Sequence, residues 1–168
     1  MLPLLLATGI ALAGIPVELG APARAFSLPV LNVDDHAQNN RVSLYDYTGV
    51  GAPDPHEAVV LFFFEPGAGD ALLPDLDRFA RKHDDVAVLG VLSDSRGTNA
   101  ATSLVRAAAP GFPVLYDQHR VVFRRYDVAE VPLTFIIDAD GYVHAAGKPR
   151  ADSFQRDLDA VLAPLIED

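Results

Sequence analysis

Val59-Val60-Leu61-Phe62-Phe63-Phe64 is an unbroken run of β-branched and aromatic residues, closed by Glu65-Pro66-Gly67-Ala68-Gly69. The run has strand length rather than helix length, and with no polar residue at alternate positions neither face of such a strand can meet water. It therefore demands a central strand in a sheet covered on both sides. Half of the 168 residues are apolar, enough to bury one core of that kind.

The flanking sequence supplies the cover. Phe26, Leu28 and Val30 alternate with Ser27 and Pro29, and Val42 and Leu44 alternate with Arg41 and Ser43, which predicts an N-terminal β-hairpin across the polar residues 32–40. Residues 48–57 hold two Gly and two Pro and read as a surface loop. Beyond Gly69, Asp70 is placed to cap a helix whose Leu72, Leu76, Phe79 and Ala80 share one face, with a restart at Pro74. Residues 86–92 form a second buried strand, and 98–109 an Ala-rich helix stopped by Pro110-Gly111. A short strand at 114–116 and a short helix at 120–126 follow. Residues 133–138 and 142–146 should pair through the turn Asp138-Ala139-Asp140-Gly141. Phe154, Leu158, Val161, Leu162 and Leu165 then mark a closing helix begun by Asp152 or Ser153. The order predicts an α/β fold with a mixed central β-sheet, helices on both faces and an N-terminal β-hairpin.

Residues 2–17 are almost wholly apolar, with small residues at Ala11 and Ala13 before Gly14, as in the apolar core of a secretory signal. No Lys or Arg precedes Arg24, and the run falls short of the roughly 20 residues that a spanning helix requires. We expect residues 1–18 to be a signal-like or anchor segment and 19–168 the folded domain, exported to the periplasm or envelope, soluble after cleavage or held by the N-terminus. Thirteen Lys and Arg against 23 Asp and Glu give a formal charge of −10, which disfavours nucleic acid and anionic membrane surfaces as partners. The chain has no cysteine, so disulfides, thiolate chemistry and cysteine-based metal sites are excluded.

Several strings together resemble the thioredoxin-like superfamily, specifically the TlpA/ResA-type thiol-disulfide oxidoreductases and the AhpC/TSA redoxin domains. Leu19-Gly20-Ala21-Pro22 with Phe26-Ser27-Leu28-Pro29 is similar to the domain start, residues 59–64 to the first core strand, and Leu73-Pro74-Asp75-Leu76 to the kinked helix after the active-site loop. Phe112-Pro113-Val114, Asp117, Tyr126-Asp127-Val128, Val131-Pro132-Leu133-Thr134-Phe135-Ile136-Ile137-Asp138 and Gly141 resemble the C-terminal half. The resemblance implies a thioredoxin-like fold, a cis Val131-Pro132 bond, and a proline loop that faces the redox motif and receives a substrate's extended backbone. Counted back from Pro74, it implies cysteines at Gly69 and Pro66, and on the peroxiredoxin pattern one near Leu72. All three positions lack sulfur, and no oxygen or carboxylate replaces a thiolate in attack on a disulfide or peroxide.

The candidate site is accordingly a groove between Glu65, Pro66, Gly67, Ala68 and Gly69 on one side and Val131 and Pro132 on the other, able to take a protein segment or extended peptide by strand addition. No catalytic residue, cofactor or metal is expected. His36, His56, His83, His119 and His144 are scattered without ligand spacing. Ser93-Asp94-Ser95 lies at the carboxyl end of a strand without a nucleophile elbow, and Arg124-Arg125 reads as a solvated pair. Glu65 is a carboxylate at the strand end that could act as acid or base, or simply be solvated. Three functional readings follow: a redox-inactive binding or scaffold module, a redoxin-like activity with the thiol supplied by a partner, and a structural subunit of an envelope complex.

Overall fold

The computed structural model describes residues 17–32 and 40–166. Most of the signal-like segment, and most of the polar connection expected within the N-terminal hairpin, lie outside the described residues.

The central run forms strand β3 (Ala58–Phe64), every residue of which is buried. Strand β4 (Val86–Leu92), equally buried, pairs with it in parallel, and β6 (Leu133–Asp138) pairs with its other edge antiparallel. With β5 (Val114–Tyr116) and β7 (Val143–Gly147) the sheet runs in the order β5-β4-β3-β6-β7. The mixed sheet is the one expected from the sequence. Strands β1 (Ser27–Pro29) and β2 (Arg41–Ser43) make the separate antiparallel hairpin.

Among the described residues, four α-helices complete the fold: α1 (Leu73–Lys82), α2 (Thr98–Ala108), α3 (Val121–Arg125) and α4 (Phe154–Ile166). Because side chains alternate along a strand, β3 sends Val60, Phe62 and Phe64 to one face and Val59, Leu61 and Phe63 to the other. The first set packs against α1, α2 and α4 through residues such as Leu76, Val105 and Leu158. The second meets α3 and the β1–β2 hairpin through Phe123, Leu28 and Val42. On that side Phe63 stands at the centre of an aromatic group, with the Phe123, Tyr126 and Phe135 rings 5.2, 5.5 and 5.6 Å away.

Both sheet edges receive chain from the N-terminal region. Leu31 N–H donates to Val114 O at 2.8 Å beside β5, and Gly20 N–H to Val143 O at 2.7 Å beside β7. Such contacts occupy part of an edge that would otherwise present open backbone groups. Thr48, expected on a surface loop, is buried, and its hydroxyl donates to Asp138 O at 2.6 Å, which ties the 48–57 loop to the β6–β7 turn.

Candidate functional site

The five residues after β3 form a closed turn. Glu65 N–H donates to Ala68 O at 3.0 Å and Ala68 N–H to Glu65 O at 2.9 Å, leaving Pro66 and Gly67 as the two central residues. Proline at the first of these positions and a glycine with φ 76° at the second are what a type II turn requires. The carboxylate of Asp70 accepts the Gly67 N–H at 3.1 Å and braces the turn from beneath. Asp70 is therefore not the helix cap that its sequence position suggests. It opens a 3-10 turn, Asp70–Leu72, that leads into α1, and Gly69 holds the cap position with φ 104°. The nearer unsatisfied donor, inside the tight turn, takes the carboxylate.

Gly69 is also where the two sides of the site meet. A Cβ built on it would stand 2.8 Å from Pro132 Cβ, 3.0 Å from Phe64 Cβ and 3.3 Å from Phe62 Cζ. The Val131-Pro132 bond is cis, and Val131 packs half-buried against the core face that holds Phe63. Of the residues singled out from sequence, Gly69 and Pro132 are thus in direct apposition. Glu65, Pro66, Gly67 and Ala68 form the turn beside them, where Gly67 has open space around it. Two residues beyond Pro132, Thr134 is buried with its hydroxyl lacking a protein partner among the described residues.

Glu65 is not a free carboxylate. It forms an ion pair with Arg120, whose guanidinium also lies 4.5 Å over the Phe123 ring. Arg120 sits at the start of α3 in the left-handed region, φ 54°, and the loop that presents it is fixed by Asp117. The buried Asp117 carboxylate accepts the N–H groups of Val121, Val122 and Phe123 at 2.8, 2.8 and 2.9 Å, satisfying the first donors of that helix. Sequence reasoning missed Arg120 as a neighbour of the loop. Asp117 preceding a short apolar helix was the visible part of the signal, but the contact joins residues 55 positions apart.

At the carboxyl end of β4, Asp94 is buried and accepts Arg96 N–H, Nε and Nη2 at 2.9, 2.9 and 2.8 Å. The Arg96 guanidinium holds its carboxyl below the usual carboxylate range against the opposing effect of burial. The Asp94 carbonyl accepts Gly97 N–H and the Tyr116 hydroxyl, so the residue organises the β4–α2 loop. Arg124 and Arg125, expected as a solvated pair, bind the carbonyls of His119 and Ala25 at 2.8 and 2.7 Å. No group of three His, Asp or Glu side chains is arranged to hold a metal ion among the described residues.

Comparison with known proteins agrees with this architecture. The sequence model of the AhpC/TSA family matches residues 19–146. A protein from Chlorobium tepidum assigned as a thiol:disulfide interchange protein DsbE superposes with a TM-score of 0.74 at 22% identity, covering 89% of this chain and 98% of that one. A secreted Mycobacterium tuberculosis disulfide oxidoreductase, homologous to E. coli DsbE, gives a TM-score of 0.65 at 23% identity over 83% of this chain and 96% of its own. The thioredoxin domain of a Bacteroides vulgatus thiol-disulfide oxidoreductase gives 0.68 at 18% identity over 86% and 97%. At these identities the likeness is one of fold. No curated protein sequence matches the chain.

Proposed function

From a chain that belongs to the AhpC/TSA family, has the thioredoxin-like fold and contains no cysteine, we propose an extracytoplasmic binding module that keeps the family's frame without its redox chemistry. The observation that carries the reading is Gly69. The position that the family spacing gives to the second cysteine has a left-handed backbone and stands against Pro132 with no room for a Cβ. A thiol at this position cannot be accommodated unless the turn or Pro132 moves. The proline loop and the Glu65–Gly69 turn stay side by side, and an extended peptide laid along them would pair through backbone groups, with apolar side chains against Val131 and Pro132. Export rests on the apolar residues 2–17.

The test uses selection from a library of extended peptides, followed by amide NMR mapping on the full chain. Bound peptides should shift the amide resonances of Glu65, Gly67, Ala68, Gly69, Val131 and Leu133. Gly67→Asn, which tolerates the left-handed backbone and projects a side chain into the open space, should weaken binding severalfold. Shifts confined to other parts of the fold, or binding unaffected by the variant, would overturn the reading. A model disulfide should show no turnover above buffer, and measurable turnover by this cysteine-free chain would overturn the redox-inactive reading.

A further inference from the structure

Strand β5 covers only half of the outer edge of β4. It pairs with Gly90, Val91 and Leu92, and the residue before it is Pro113, which has no N–H with which to extend the ladder. Beside Val86 and Val88 that edge has no strand partner among the described residues, and a cleft of about 220 Å³ opens there. Val86, Val88 and Phe112 line it with apolar surface, and Tyr47, His56, His83 and Asp84 supply its polar groups. The register that sets Ala58 opposite Val86 and Phe64 opposite Leu92 places this cleft at the other end of the sheet from the Glu65–Pro132 site. From Val86 to Leu92 the strand spans about 20 Å.

Each histidine of the cleft has one ring nitrogen engaged and the other free. His83 follows the last residue of α1, where its Nε2 meets Asp159 Oδ1 of α4 at 2.8 Å and its ring lies 4.5 Å from that of Phe79. His56 Nδ1 lies 2.8 Å from Asp54 O, an atom that can only accept, and its ring stands 5.6 Å from that of Tyr47. A neutral imidazole that donates from one nitrogen accepts at the other. Neutral His83 therefore offers Nδ1, and neutral His56 offers Nε2, as acceptors without a partner among the described residues. The charges around them have one sign. Burial, and then the carboxylates of Asp46 and Asp54, push the Tyr47 hydroxyl above the usual phenol range. Asp84 is exposed, whereas the cations at the end of α1 are engaged, Arg81 by Asp77 and Lys82 by Asp159.

We propose that this cleft binds a small primary amine, its ammonium group held by His56, His83 and Asp84 and its apolar body laid against Val86, Val88 and Phe112. An ammonium has three donors and no acceptor, which matches two imidazole lone pairs and a carboxylate. The volume lies below the roughly 300–1,000 Å³ of pockets for drug-sized ligands, which limits the body to about one ring or a short alkyl chain. An anionic ligand of the same shape meets the acidic surroundings of Tyr47 and a chain of net charge −10, and a neutral one leaves acceptors unfilled. The site is independent of whether the Glu65–Pro132 groove binds peptide.

Titration of the full chain with 2-phenylethylamine, followed by amide NMR at pH ~8, keeps the amine charged and stays above the ordinary imidazole range. The amides of Ala80, His83, Val86 and Phe112 should shift and saturate, with those of Gly67 and Gly69 unmoved. 2-Phenylethanol and phenylacetate, which keep the ring and lose the ammonium, should bind at least about tenfold more weakly, as expected when a charged hydrogen bond is lost. Asp84→Asn, at an exposed position, and His56→Phe, which keeps a ring against Tyr47, should each weaken the amine severalfold. Urea unfolding of both variants checks the fold, and Asp84→Asn alone decides if His56→Phe does not fold. Absence of saturable shifts at these amides, equal affinity for the alcohol or the acid, or an amine affinity unchanged in Asp84→Asn would overturn the inference. Loss of peptide binding would leave each of these outcomes as it stands, so the two readings fail separately.

Discussion

At Gly69 two independent constraints fall on one atom that is not there. A side chain would require an L-residue to hold φ 104°, and its Cβ would press on Pro132 and Phe64. Gly67 carries the first constraint alone, with φ 76° and open space around it. We expect Gly67→Ala to cost about 1–3 kcal/mol, the usual range for an enforced left-handed residue. Gly69→Ala should cost distinctly more, and urea unfolding of both variants isolates the contact with Pro132. Equal losses would mean that the proline side yields freely. The sequence places both glycines in the loop that closes the central strand, yet nothing in their local spacing distinguishes them. That distinction comes from a proline far along the chain. Glu65 makes the same point, since its strand-end position was legible whereas its pairing with Arg120 was not.

At the scale of elements, strands and helices were legible within a residue or two because each satisfies its own periodicity. The buried run 58–64, the Ala-rich helix ended by Pro110-Gly111 and the Asp138–Gly141 turn all needed only local reading. Asp70 failed as a cap because a neighbouring turn competed for its carboxylate. The β4–α2 connection gives a pH prediction. Asp94 has its folded-state pKa lowered, chiefly by the hydrogen bond from Arg96, so the charged form stabilises the fold. That contribution is fully present above the unfolded-state value of about 3.9 and is lost as pH falls through the lower folded-state value. Thermal unfolding of the wild type should therefore weaken through this acid window, and Asp94→Asn should flatten that part of the profile while lowering stability at neutral pH. An unchanged acid limb in the variant would assign the loss to other carboxylates.

Across the whole molecule, the family frame and the family chemistry separate. The mixed sheet, the cis-proline loop and the helix that follows the Glu65–Gly69 turn are all in place, so introducing two sulfurs is the direct way to ask whether sulfur alone is missing. We expect Pro66→Cys with Gly69→Cys to leave disulfide turnover at background and to lower stability. Pro66 sets the first turn position, and a Cβ at 69 meets Pro132 at 2.8 Å. Turnover of a model disulfide by the folded double variant would show that the loop relaxes to accept the thiol pair. The sequence by itself determined which segments must be buried, in what order strands and helices follow, and that no thiol exists, because hydrophobic periodicity and composition are local and additive. The family resemblance set the Glu65–Gly69 loop against Val131-Pro132, but only the tertiary structure decided that Gly69 itself abuts Pro132 without room for a Cβ and that Glu65 pairs with Arg120. These are contacts between loops that the sheet brings together, and loop residues carry no period from which such meetings could be read.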